Sequence, residues 1–196
     1  EELRNGFLHN LAHHLRYRQF SPTAWIITGA EGSGKNMFFG HVIAQIYERY
    51  FNTVAVSALT GVYQDPLLSK LFVLIDEAED EKKTYQATTL ITALKRIVGN
   101  ETLSGRAIYK GVVEQKNHLF LVLVSNEEMP VQLSGAKDRR FNVSHTGPNL
   151  QELPWYQAIP NIDLPHLLQE ELEEFVAYLA SLKTEAATTR KIYYNH

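Results

Sequence analysis

The chain has 196 residues, 44% of them hydrophobic, a net charge of −3 and no cysteine. That length and apolar share suffice for one domain with a sizeable core. The composition excludes a disulfide framework, a thiolate metal site and a cysteine nucleophile, and the mild acidity means that any nucleic-acid contact must come from a few placed basic residues. No segment is apolar for long enough to cross a bilayer and no secretory leader is visible. Opening on Glu1-Glu2, the chain is expected to be a piece of a longer protein.

In chain order, residues 1–20 read as a lead-in amphipathic helix with Leu3, Phe7, Leu8, Leu11 and Leu15 on one stripe, ended by Ser21-Pro22. His9 and His13 stand four apart, but with no carboxylate beside them they read as a solvated helix face rather than a ligand pair. Residues 21–145 form the expected core, which opens with a strand at 24–28. A helix from about Lys35 to Tyr50 follows, with Phe38, Val42, Ile43 and Ile46 inward, and then a short strand at 53–56. The runs at 71–75 and 119–124 are continuously apolar, as in parallel strands buried on both faces. Thr84 to Val98 is periodic through Leu90, Ile91, Leu94, Ile97 and Val98, with Lys95 and Arg96 expected in solvent or at a subunit contact. Gly105 to Val113 reads as two short strands around a turn. Residues 146–196 are a C-terminal helical extension with a helix near 167–182, its stripe formed by Leu168, Leu172, Phe175, Val176 and Leu179. Trp155, Tyr156 and the nearby prolines suggest an irregular connection packed into the core. Strands alternating with helices predict an α/β fold with a mostly parallel sheet flanked by helices.

The most informative stretch is Gly29-Ala30-Glu31-Gly32-Ser33-Gly34-Lys35-Asn36, set between the strand at 24–28 and a helix. This is the strand, glycine loop, helix context of a phosphate-binding P-loop. Glycines let backbone N–H groups turn toward phosphates, and the helix that follows presents its positive dipole end. Lys35 would place an ammonium on the β/γ oxygens, with Met37 completing the contact set. Asn36 stands where Ser or Thr would usually offer a hydroxyl to Mg²⁺, and its amide oxygen is also a hard donor. The expected ligands are therefore ATP and Mg²⁺.

Asp76-Glu77 follows the apolar run 71–75, at the carboxyl edge of a buried strand, where open α/β sheets bind ligands. Two carboxylates there suit a division of labour in which Asp76 holds Mg²⁺ and Glu77 polarises the attacking water. Glu79, Asp80 and Glu81 read as a solvated acidic turn. Asn126 ends the second apolar strand at the same edge, where a carboxamide can hydrogen-bond the lytic water or the γ-phosphate. Within Lys137-Asp138-Arg139-Arg140-Phe141, a guanidinium aimed at a γ-phosphate would neutralise transition-state charge, an effect of about 10³–10⁵ in rate.

The order of these parts (Gly-x4-Gly-Lys-Asn, apolar-Asp-Glu, basic hairpin, Val-Ser-Asn, Asp-Arg-Arg-Phe) resembles the superfamily 3 helicases, AAA+ motors of DNA viruses, phages and plasmids. The likeness covers about residues 5–145 and is nearest to the helicase half of phage and plasmid primase–helicases and primase–polymerases. It implies a P-loop AAA+ core with a β-hairpin before the sensor strand, a hexameric ring, and ATP-driven 3′→5′ translocation on single-stranded DNA in the cytoplasm of a bacterial host. It further implies an upstream primase, polymerase or collar domain in the same polypeptide. On this resemblance Asn126 is the sensor and Arg139 the finger that reaches the neighbouring subunit's ATP, with Arg140 a second candidate. The hairpin would grip the DNA backbone in the central channel, its tip falling at Tyr109 and Lys110 with Arg106 and Lys116 flanking. Lysine neutralises phosphate and tyrosine stacks without sequence preference. An ATP-dependent initiator or loader that switches rather than walks, an RNA helicase of the same superfamily and an AAA+ protein remodeller remain the alternatives.

Overall fold

The computed structural model describes residues 1–59, 65–76, 83–107, 111–127, 138–158 and 163–193. Helix α1 (Glu2–Tyr17) leads into β1 (Ala24–Thr28). Helix α2 then starts as Lys35–Met37, passes through a π segment, Phe38–Ile43, and resumes at Ala44–Tyr47 before a closing 3₁₀ turn, Glu48–Tyr50. Strands β2 (Phe51–Ala55) and β3 (Phe72–Asp76) are followed by α3 (Lys83–Gly99) and by the hairpin strands β4 (Thr102–Ala107) and β5 (Gly111–Lys116). Strands β6 (Phe120–Ser125) and β7 (Phe141–His145) complete the sheet, and α4 (Leu164–Glu170) and α5 (Leu172–Ser181) close the chain.

Five strands form one sheet in the order β2-β3-β6-β1-β7, and every pairing in it is parallel. The hairpin β4-β5 stands apart as an antiparallel pair. The two apolar runs become β3 and β6, adjacent and buried on both faces. Because side chains alternate, each strand feeds two cores. On one face Ile26, Val73, Ile75, Leu121 and Leu123 meet Leu90, Leu94 and Ile97 of α3. On the other, Trp25, Phe72, Phe120 and Val122 meet Phe7 and Leu11 of α1 and Phe39, Ile43 and Tyr47 of α2. That second layer is aromatic: Phe72 stacks on Phe120 at 5.4 Å, and Phe7 meets Trp25 edge-on at 5.3 Å. Such pairs contribute about 0.5–1.5 kcal/mol each beyond the area they bury.

Three expectations need correcting. The π segment widens one turn of α2, so the residues packed into the aromatic layer are Phe39, Ile43 and Tyr47, with Val42 also buried, while Phe38 and Ile46 are only half-buried. His13 is 5% exposed rather than solvated, because α1 is covered along that side as well as along its leucine stripe. The C-terminal helix breaks at Glu171, and of its expected stripe only Leu179 is buried, with Val176 39% exposed.

The two ends of the chain meet on the aromatic layer. Arg16 of α1 donates to the carbonyls of Ala180 (2.7 Å) and Leu182 (3.1 Å), capping the C-terminal end of α5. Tyr193 stacks on Trp25, and a Cβ on Gly6 would run into the Tyr193 ring, which explains a glycine inside α1.

Beneath α1, His14 is 2% exposed and engaged at both ring nitrogens, with Nε2 donating to the His118 carbonyl and Nδ1 accepting from the Tyr47 hydroxyl, each at 2.7 Å. Burial, the dominant cause, lowers its pKa to about 4, so the native ring is neutral. The unfolded chain then binds the proton that the native state refuses between pH 6.5 and 4. The stabilisation is complete above pH 6.5 and is lost as the pH falls, by about 3 kcal/mol at pH 4. Urea unfolding at stepped pH should show this loss, and His14→Gln should flatten it; equal slopes in the two proteins would show that His14 does not carry the acid sensitivity.

Candidate functional site

Parallel register sets the site. Thr28 lies level with Ser125 on β6, and Val124 is level with Asp76 on β3. Strands β1, β6 and β3 therefore end together, and Gly29, Asn126 and Asp76 emerge at one edge, with neighbouring strands about 4.8 Å apart. The glycine loop leaves β1 with Gly29, Gly32 and Gly34 at φ +144°, +74° and +86°, a region that side-chain-bearing residues rarely adopt.

Lys35 turns back over this loop and is buried. Its ammonium donates to the Gly29 carbonyl (2.8 Å), the Ala30 carbonyl (2.9 Å) and Ser33 Oγ (3.2 Å). Desolvation lowers its pKa, with Glu31 opposing. Next to it, Asn36 Nδ2 lies 3.4 Å from Asp76 Oδ2, so the two expected metal ligands meet from positions 40 apart in the chain. A cavity of about 440 Å³ opens here, lined by residues 31–37 and by Asn126. Among the described residues, those within reach of that cavity include no cluster of three His, Asp or Glu side chains able to hold a metal alone. Glu77 lies outside the described residues.

The opposite wall of the cavity was not foreseen. It comes from the segment after β7: Asn149, Leu150, Gln151 and Tyr156. Thr146 N donates to the Thr28 carbonyl at 2.8 Å, Thr146 Oγ1 and Ser33 Oγ are 2.9 Å apart, and Leu150 N donates to the Gly32 carbonyl at 3.0 Å. A Cβ on Gly32 would strike Asn149, and one on Gly34 would press on Leu150. Tyr156 is therefore a wall of the cavity and Trp155 is 50% exposed, so neither belongs to the core as expected. The one sequence signal for this wall is a pair of aromatics without helical or strand periodicity.

Arg139 and Arg140 are exposed and lie elsewhere. The Arg140 carbonyl accepts from Ala24 N at 2.8 Å, which fixes both arginines at the amino edge of the sheet. A five-residue strand, roughly 16 Å, separates them from the glycine loop of the same chain. Just before them Asp138 pairs with Lys95 of α3 at 3.0 Å, so Lys95 is tied within the chain rather than simply solvated, and Arg96 donates to the Leu59 carbonyl at 3.3 Å.

The hairpin forms as expected, with Gly111 at φ +73° where β5 begins. It is held down at both ends of its ladder: Ser69 N donates to Gln115 Oε1 at 3.1 Å near the base, and Arg106 N donates to Asp65 Oδ1 close to the turn. Arg106 and Lys116 are exposed, while Tyr109 and Lys110 lie outside the described residues.

Fold and site thus define a parallel α/β protein with a lysine-closed glycine loop and a carboxylate–carboxamide pair at the carboxyl edge of its sheet. The chain belongs to the family of unknown function DUF5906, matched over residues 27–140. It is 28% identical over 193 residues to the DNA primase-polymerase of Nitratiruptor phage NrS-1, an alignment that takes in 95% of this chain and 25% of that protein. Two apo structures of the NrS-1 C-terminal region superpose with TM-scores of 0.81 and 0.84 at 25% identity, covering 96% of this chain and 44% of theirs. The chain is therefore a homologue of part of a phage replication protein and spans about a quarter of that relative's length.

Glycine strain gives a direct check on the loop. Gly32→Ala should lower stability by about 1–2 kcal/mol. Gly40→Ala, in open space within α2, should raise it by about 0.5–1 kcal/mol. Thermal unfolding of the pair measures both, and a neutral Gly32→Ala would remove the strained-loop description.

Proposed function

We propose that this chain is the ATP-hydrolysing motor domain of a superfamily 3 DNA helicase, part of a phage or plasmid replication protein that works as a ring on single-stranded DNA in the host cytoplasm. The observation that carries the reading is the meeting of Asn36 and Asp76 beside the Lys35-closed loop, at one edge of a parallel sheet. Relationship to a phage primase-polymerase supports the replication context, and the unmatched length of that relative leaves room for an upstream primase or polymerase domain.

In this reading the loop amides of residues 30–36 take the phosphate oxygens, and the Lys35 ammonium exchanges its loop carbonyls for β/γ oxygens. That exchange is favourable because the ammonium is already desolvated and held by neutral acceptors, while phosphate offers charged ones. Asp76 and Asn36 fit Mg²⁺, which typically takes one or two carboxylates together with phosphate oxygens and water. When bound, the ion would supply charge neutralisation at the phosphates. Asn126 lines the same cavity and would orient water or the γ-phosphate, with Glu77 as the base. Arg139, with Arg140 beside it, stands at the far edge of the sheet from its own loop, a placement that favours action on a neighbouring copy. The exposed Arg106 and Lys116 on the hairpin, together with Tyr109 and Lys110, would supply the contact to DNA phosphates and bases.

Lys35→Ala should abolish ATP binding. Arg139→Ala should keep binding and lose turnover by about 10³-fold or more. Lys110→Ala should weaken single-strand binding and lower its salt slope by about one. The primary experiment is steady-state ATP hydrolysis over a protein concentration series, with and without single-stranded DNA. Turnover per subunit that rises with concentration and with DNA is the expected result. Flat, DNA-insensitive turnover would favour a nucleotide switch over a motor, and normal turnover in Arg139→Ala would remove the finger.

A further inference from the structure

We infer that the segment following β7 is the nucleobase wall of the cavity, with Tyr156 as the stacking residue and Leu150 as the apolar face beside it; this rests on the proposed triphosphate site and deepens it. The argument is one of direction. The sheet order puts β6 and β3, with Asn126 and Asp76, on one side of the glycine loop, and β7 with its following segment on the other. A triphosphate seated on the loop with its terminal phosphate toward Asp76 and Asn126 must carry its sugar and base toward the β7 side. There it meets no open solvent but a wall already in place.

Internal hydrogen bonds hold that wall. Leu150 N is tied to the Gly32 carbonyl, Asn149 caps the turn by accepting from Gln151 N at 2.9 Å, and Gln157 Nε2 donates to the Gln151 carbonyl at 2.7 Å. Leu150 lies over Gly34, so its apolar surface borders the place where the phosphates end. Tyr156 is half-buried, braced edge-on by Trp155 at 5.7 Å. An aromatic ring, an aliphatic face and adjacent carboxamides beside a phosphate loop are what a flat heterocycle with a polar edge requires. Stacking strength grows with ring size, so the wall favours purine over pyrimidine triphosphates.

The experiment compares ATP with inorganic tripolyphosphate as competitors of a fluorescent ATP analogue, in the wild-type protein and in Tyr156→Ala, Tyr156→Phe and Lys35→Ala. Tyr156→Ala should weaken ATP by about 5- to 100-fold, the range of one base–aromatic stack, and leave tripolyphosphate within about twofold. Tyr156→Phe should retain ATP affinity, and the preference for ATP over CTP should narrow in the alanine variant. Lys35→Ala should lose both ligands. Unchanged ATP affinity in Tyr156→Ala would place the base elsewhere, and equal loss of ATP and tripolyphosphate would reduce the segment to a prop for the loop. A wild-type protein that binds neither ligand would overturn the triphosphate site itself, and the wall with it.

Discussion

The parallel register of β3, β6, β1 and β7 is the constraint on which the remainder depends. Four strands paired in one direction must end at one edge, and each brings its last residue there: Asp76, Ser125, Thr28 and His145. Backbone and side-chain groups at such an edge have no further strand to pair with, so they must bond to each other or to something placed among them. Here they bond to each other. Thr28 Oγ1 meets His145 Nδ1 at 2.5 Å, Thr146 holds the Thr28 carbonyl, and Lys35 fills the loop carbonyls. These are internal partners for a set of groups whose chemistry also suits phosphate.

The two layers covering the sheet differ in kind. The aromatic layer under α1 and α2 ties both ends of the chain to the sheet, while the aliphatic layer under α3 roots the hairpin. Buried Asn117 makes that second attachment rigid. Its Nδ2 donates to the carbonyls of Ile97 (2.9 Å) and Asn100 (2.8 Å), which closes the end of α3, and its Oδ1 accepts from Leu119 N at 3.0 Å, just before β6. One carboxamide thus links the helix before the hairpin to the strand that leads to Asn126. With Lys95 of the same helix paired to Asp138, α3 touches the hairpin root, the Asn126 strand and the arginine turn at once. A helix so placed would connect DNA contact, γ-phosphate contact and the arginines in the proposed motor.

What was legible in the sequence follows from which signals are local. β1, β3 and β6 are apolar runs, and their ends could be placed within a residue because Thr28-Gly29, Asp76 and Ser125-Asn126 interrupt them sharply. The Asn36–Asp76 meeting followed from strand ends sharing an edge. β7 was missed as a strand because Phe141-Asn142-Val143-Ser144-His145 alternates and sits at the sheet margin, so half of it is polar and only its first two residues are buried. The π turn in α2 was invisible because its sequence satisfies ordinary helical spacing equally well. His13 and His14 look like surface polar residues until α1 is covered on two sides. The wall at 149–156 had no periodic pattern to reveal it, since it is held by backbone bonds to the glycine loop rather than by buried side chains.

The charge arrangement of the cleft bears on how such a site would turn over. Among the described residues lining it, Lys35 is the one cation, opposed by Glu31 and by Asp76 nearby. Transfer of a γ-phosphoryl group spreads negative charge over oxygens that one lysine cannot fully balance, and the usual remedy is a metal ion together with a guanidinium. The arginines this chain offers stand a full strand length away, anchored by the Ala24–Arg140 and Lys95–Asp138 contacts, so no side-chain rotation brings them to their own loop. A monomer of this chain would then hold nucleotide well and hydrolyse it poorly, and the missing charge would arrive only when another copy presents its Asp138–Arg140 turn to the open side of the cleft. Assembly would act as the switch for chemistry, a consequence of where the strand β7 begins.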